Sequence, residues 1–201
     1  MADRRNPYER AFEAYLRALA VPYVAVDEAR RARIAAGETL KNLDFIVATG
    51  SHGGWLVDVK GRRFPTGRLH PQYWKNWSFV DDLRSLEQWE QFFGAGFRGL
   101  LVFAYKVVGD RSPTAPEFEF FFESERYAFL ATPLREYGRW ARELSPRWGT
   151  VMVPVKIFRE IARPFCEYLP ARKLAHFPAP PGAGNETQGG QNVFPAAAVT
   201  S

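Results

Sequence analysis

Apolar and polar residues repeat along this chain with two periods. Tyr8, Phe12, Tyr15, Leu16 and Leu19 form one stripe at helical spacing, which predicts an amphipathic helix over residues 7–20. Pro7 suits its first position, and Pro22 ends it and opens an extended run through Val26. A basic stretch with no clear period follows, residues 30–39, with Gly37 as a breaker. Residues 43–49 then form an apolar, β-branched run around a single acid, Asp44. Beyond a glycine-rich loop, residues 55–60 alternate: Trp55, Val57 and Val59 face one way, and Leu56, Asp58 and Lys60 the other.

The next stretch, residues 61–77, reads as a long loop rich in Gly, Pro, Arg and aromatics, and loops of this length are often functional. Ser78 followed by Asp81 resembles a capping box that opens a helix reaching Phe93, with Gly94 as its C-terminal cap. Trp89, Phe92 and Phe93 are assigned to the core. Residues 99–108 form a strongly apolar strand, and residues 117–122 read as its antiparallel partner. Residues 126–143 hold a mixed, short-helical segment, residues 151–156 a last strand, and residues 157–169 a last helix interrupted at Pro164. The remainder is Pro-, Ala-, Gly-, Gln- and Asn-rich and is expected to be disordered. The order of elements predicts an α/β fold with a mixed central sheet flanked by helices. It makes one domain of residues 1–169, with a core over about 7–122, an accessory part over 123–169 and a tail from 170.

Composition narrows the classes. At 46 % hydrophobic and 15 % aromatic, the 201-residue chain is too apolar to be disordered as a whole. Residues 1–75 hold 13 Lys/Arg against 8 Asp/Glu, so the whole net charge of +5 lies in that part. A basic region of this kind suits a polyanion, but charge alone favours a solvated surface that happens to be basic. The single cysteine, Cys166, cannot form an internal disulfide, and His52, His70 and His176 have no zinc spacing. With no long apolar run and no apolar leader, the expectation is a cytoplasmic protein that does not enter membranes.

The chemistry concentrates at Asp44 and Asp58-Val59-Lys60. Adjacent strands would bring two carboxylates to one end of a sheet, a hard-oxygen donor pair suited to Mg²⁺ or Mn²⁺, with the Val59 carbonyl as a further donor. Lys60, on the same face as Asp58, would stabilise negative charge developing on a phosphorus. Arg62, Arg63, Arg68 and Lys75, interleaved with Trp74 and other aromatics, could contact phosphates and stack on bases; equally, the aromatics could pack over the sheet edge. Arg30, Arg31, Arg33 and Lys41 form a second basic group.

Leu43-Asp44-Phe45 and Val57-Asp58-Val59-Lys60-Gly61-Arg62 together resemble the PD-(D/E)xK nuclease superfamily, in layout the small archaeal Holliday-junction resolvases. Leu43 stands where proline is usual, and Asp58 where glutamate is commoner. The resemblance implies a restriction-endonuclease-like core, Mg²⁺- or Mn²⁺-dependent hydrolysis of DNA, and a metal-holding glutamate from the first helix. That glutamate is Glu9, with Glu13 one turn on as the alternative. It also leaves room for a homodimer, common among small nucleases that cut both strands. Two rivals stay open: a catalytically inactive nucleic-acid-binding or assembly module on the same fold, and an unrelated α/β domain in which Asp58 and Lys60 form a surface ion pair.

Overall fold

The computed structural model describes residues 6–26, 32–33, 39–50, 53–67 and 69–170. Arg68, the side chains of Arg30, Arg31 and Arg33, and the tail from residue 171 lie outside the described residues.

Helix α1 (Pro7–Ala18) opens on Asn6, whose side chain accepts the Tyr8 N–H at 3.1 Å, and closes at Leu19. Strands β1 (Tyr23–Ala25), β2 (Ala32–Arg33), β3 (Thr39–Leu40) and β4 (Phe45–Ala48) follow. Then come β5 (Gly54–Phe64), β6 (Ser78–Phe79), helix α2 (Val80–Phe93) and β7 (Phe97–Val107). The last part holds β8 (Glu119–Phe122), β9 (Glu125–Pro133), α3 (Leu134–Trp140), β10 (Arg142–Ser145), β11 (Thr150–Met152), α4 (Val155–Ile161) and β12 (Arg163–Pro164). The main sheet runs β1-β4-β5-β7-β9-β12, with β8 also on β9. Among the described strands, β5 and β7 alone are parallel, in register from Gly54↔Phe97 to Phe64↔Val107, with α2 in the crossover.

Alternation along β5, β7 and β9 sorts side chains to two cores. Val57, Val59, Val102 and Phe129 pack under α1 with Phe12, Tyr15 and Leu16. Leu56, Leu101, Phe103 and Leu130 pack with Leu86, Leu134, Tyr137 and Phe158 from α2, α3 and α4. Helices therefore cover both faces of the sheet.

Several expectations are corrected here. The stretch read as a loop from residue 61 continues as β5 to Phe64, because Arg62 and Arg63 break the apolar alternation but still pair with Tyr105 and Lys106. Residues 125–133, expected to be mixed and helical, form β9, which lies between β7 and β8, so residues 119–122 pair with β9 and not with β7. Tyr127 through Thr132 are buried on both faces of that strand, which removes the alternation by which strands are recognised. The sheet thus extends past the expected core boundary at residue 122. The last strand is shorter than expected, and residues 155–161 are helical; after them come β12 and a short 3₁₀ turn, Phe165–Tyr168, where a helix was expected. Phe92 and Phe93 are exposed, at 59 % and 37 %, because they lie on the outer side of the last turn of α2. The cap of α2 is displaced by one residue: Phe79 is the N-cap, and Asp82 at the third helical position accepts its N–H at 3.4 Å.

Close approach of α1 to β5 depends on Gly61. A Cβ there would lie 2.2 Å from Cδ2 of Tyr8. Gly61→Ala is therefore expected to push α1 off the strand and destabilise the protein by about 1–3 kcal/mol, measured by denaturant unfolding.

Candidate active site

Strand β4 begins only at Phe45, opposite Val57, whereas its partner β5 continues, so among the described residues one edge of β5 has no strand beyond Val57. Asp44 fills that gap. Its N–H still donates to the Val57 carbonyl at 2.9 Å, and its Oδ2 accepts the orphaned Val59 N–H at 2.6 Å. Asp58 and Lys60, two residues apart on β5, share a face, and Nζ of Lys60 lies 2.8 Å from Oδ2 of Asp58. The pair is largely buried, at 14 % side-chain exposure each, so it is not a surface ion pair.

A cavity of about 320 Å³ opens at this point. Glu9, Asp44, Asp58 and Lys60 all line it. Glu9 reaches it from the first turn of α1, held by the side chain of Asn6, which donates to its Oε1. Glu13 does not line it; it accepts from Arg17 at 2.7 Å and from the Tyr23 hydroxyl at 2.9 Å.

Asp82 is the residue the sequence reading missed. The first turn of α2 presents it to the same cavity, 4 % exposed, where it receives both Lys60 and Lys41 as well as the Ser78 hydroxyl at 3.3 Å. An acid in the first turn of a helix ordinarily answers the helix dipole, and nothing local marks it as facing a lysine 22 positions earlier.

Among the described residues, four carboxylates and two lysines, Lys41 and Lys60, line the cavity. Burial raises the pKa of Asp58, and the Asp82 charge adds to this, while Lys60 opposes it. Burial works against the Lys60 ammonium, but Asp58 and Asp82 more than offset it and raise its pKa, so Lys60 stays charged. Asp82 shows the reverse balance: burial pushes it up, and Lys60 and Lys41 bring it below the ordinary carboxylate value. A desolvated carboxylate, Asp58, beside the further oxygen donors of Asp44 and Glu9 fits a divalent cation. Among the described residues, no three His, Cys, Asp or Glu side chains are gathered closely enough to enclose an ion by themselves. The fit therefore rests on a carboxylate pair plus backbone and water oxygens, an arrangement Mg²⁺ favours.

The expected nucleic-acid contacts are dispersed. Arg62 lies over the Trp77 ring at 3.9 Å and donates to the carbonyls of Gly61 and Trp77. Arg63 is exposed, Lys75 is half-buried, and Trp74 packs edge-on to Phe64 with Arg159 over its ring.

No family model matches the chain, and no curated protein matches it in sequence. Among solved structures, it is similar to Hjc, a Holliday junction resolvase from Archaeoglobus fulgidus. The TM-score is 0.50 over 80 % of this chain and 96 % of that one, at 12 % identity. The fold is restriction-endonuclease-like. At that identity the likeness establishes the architecture, and any activity must be argued from the cavity itself. No helix among the described residues is long and apolar enough to cross a membrane.

Proposed function

We propose that the protein is a metal-dependent endonuclease that hydrolyses phosphodiester bonds in DNA, in repair, recombination or defence. The observation that carries this reading is the buried set Asp44, Asp58 and Lys60 at one strand edge of a fold shared with a resolvase. Asp44 and Asp58 would hold a Mg²⁺ or Mn²⁺ ion, with Glu9 as an outer or second-metal ligand. When bound, such an ion supplies a Lewis acid that polarises phosphoryl oxygens and eases loss of a proton from water. In an extended strand the N–H and C=O of one residue leave from the same edge, so the Val59 carbonyl shares the edge on which Asp44 meets the Val59 amide. Lys60, kept charged by its two carboxylate neighbours, stabilises the negative charge that builds up on the transferred phosphoryl group. Trp74, Arg62, Arg63, Arg68 and Lys75 are the proposed DNA contacts in this reading, and cutting both strands of a duplex would call for a homodimer.

A binding module without catalysis is the second reading, favoured by the absence of a ready three-acid cluster among the described residues. The two separate in one experiment. Purified protein is incubated with labelled branched, flapped and linear DNA in Mg²⁺, Mn²⁺ or EDTA, and its melting temperature is recorded with each ion. A nuclease cleaves only with the ion and gains melting temperature with Mn²⁺, by about 2–4 °C per kcal/mol of linked binding energy. DNA binding with neither cleavage nor a Mn²⁺ shift establishes the module. Neither binding nor cleavage overturns both readings.

A further inference from the structure

A second groove of about 320 Å³ adjoins the catalytic cavity and shares Asn6, Val59, Lys60 and Asp82 with it. Tyr8, Gly61, Arg62, Trp77 and Phe79 form its other walls. Two features of these walls are left unexplained by folding. Phe79 occupies the N-cap of α2, where a side-chain hydrogen-bond acceptor is favoured, and its ring is 39 % exposed. Its ring therefore neither caps the helix nor fills a core. Arg62 is half-buried, its hydrogen-bond partners are two backbone carbonyls, and its Nε is shielded from solvent with no acceptor. Burial lowers its pKa, and among the described residues no carboxylate hydrogen-bonds to it.

The two features complement one kind of ligand. Trp77 and Phe79 stand edge to face at 5.5 Å, and each ring carries a cation: Arg62 at 3.9 Å over Trp77, and Lys41 at 5.4 Å over Phe79. Rings interleaved with cations hold unpaired nucleotides, because bases stack on the rings while phosphates meet the charges. A groove of this volume is also of the order of known small-molecule sites, roughly 300–1,000 Å³. We propose that this groove is a subsite for an unpaired nucleotide of the DNA strand whose neighbouring phosphate enters the catalytic cavity. Its base stacks on the exposed Phe79 ring with the Trp77 ring at its edge, and its phosphate meets Arg62 and Lys41. The inference rests on the nuclease reading for the phosphate's destination, and it makes the substrate class DNA with unpaired nucleotides rather than intact duplex.

The test is fluorescence anisotropy in EDTA, where no cleavage occurs, with labelled oligothymidine, a flapped duplex and a blunt duplex. The wild-type protein should bind the first two at least about tenfold more tightly than the blunt duplex. Phe79→Ala and Trp77→Ala should each weaken those two by about five- to a hundredfold and leave blunt-duplex affinity unchanged. Trp77→Phe, which keeps a ring, should recover most of the affinity. Phe121→Ala, which removes a ring 49 % exposed on β8, serves as the surface control. Equal affinity for all three DNAs, or a Phe79→Ala protein that binds as tightly as wild type, overturns the subsite. Preference without cleavage in Mn²⁺ keeps the subsite and removes the nuclease reading. Cleavage without preference does the opposite.

Discussion

Asp58→Asn protein is expected to lose cation-dependent DNA cleavage by about a hundredfold or more while keeping, or slightly raising, its melting temperature. The loss follows from removing one of the two carboxylates proposed to hold the cation and one of two that hold Lys60. The retained stability follows from the same burial. A carboxyl whose pKa is raised on folding is bound less well as the anion, so its ionised form opposes folding. The sign fixes the pH dependence: this penalty is present above the raised folded pKa and disappears as pH falls through it and Asp58 takes up a proton. The melting-temperature advantage of Asp58→Asn should therefore be present at neutral pH and shrink towards zero on acidification, read by parallel thermal melts. A variant that loses activity together with a large drop in melting temperature at neutral pH would show that Asp58 supports the fold, not the chemistry.

The largest loss of stability is expected from Phe12→Ala, about 3–5 kcal/mol in denaturant unfolding. Phe12 is fully buried, and its ring meets Phe45 at 5.4 Å, Phe129 at 5.3 Å and Phe165 at 4.9 Å. These partners come from β4, β9 and the C-terminal 3₁₀ turn, so one side chain joins parts of the chain that are distant in sequence. Deleting it leaves a cavity that three rigid rings cannot close. Because the turn that carries Phe165 is short, the loss should also appear as faster amide exchange in residues 163–169.

These two residues illustrate what could be read before any coordinates. The stripe from Tyr8 to Leu19 placed Phe12 inward, because helical spacing is local. The same holds for Asp58 and Lys60: a period of two requires a shared face, and the structure has them 2.8 Å apart. Asp44 was visible as a lone acid in an apolar run. Its role at the Val59 amide was not, because that depends on where β4 stops pairing. Strand β9 was hidden because both its faces are buried, and periodicity vanishes when neither face meets water. Asp82 was hidden for a different reason. Its meaning lies in Lys41 and Lys60, brought to it by the β5–α2–β7 crossover, and no short window of sequence contains that encounter. Arg62, by contrast, was picked out by its charge alone, and the structure adds that its guanidinium rests on Trp77.

The late start of β4 limits how the protein can change. The cavity exists because a four-residue strand is laid against an eleven-residue one. Had β4 continued for two more pairs, its main chain would occupy the edge that Asp44 now reaches with a side chain, and there would be no room for a ligand. A slip of one residue in that pairing would be as damaging, since it would turn Asp44 out of the gap and bring in Leu43 or Phe45, both buried in cores. The start of β4 therefore tolerates little drift in length or register. The far end of the β4–β5 hairpin, past Ala48, is remote from Asp44 along both strands and is expected to tolerate changes in length better. New specificity is thus more readily acquired at one end of the hairpin, while the other is held constant by the geometry of a single missing strand pair.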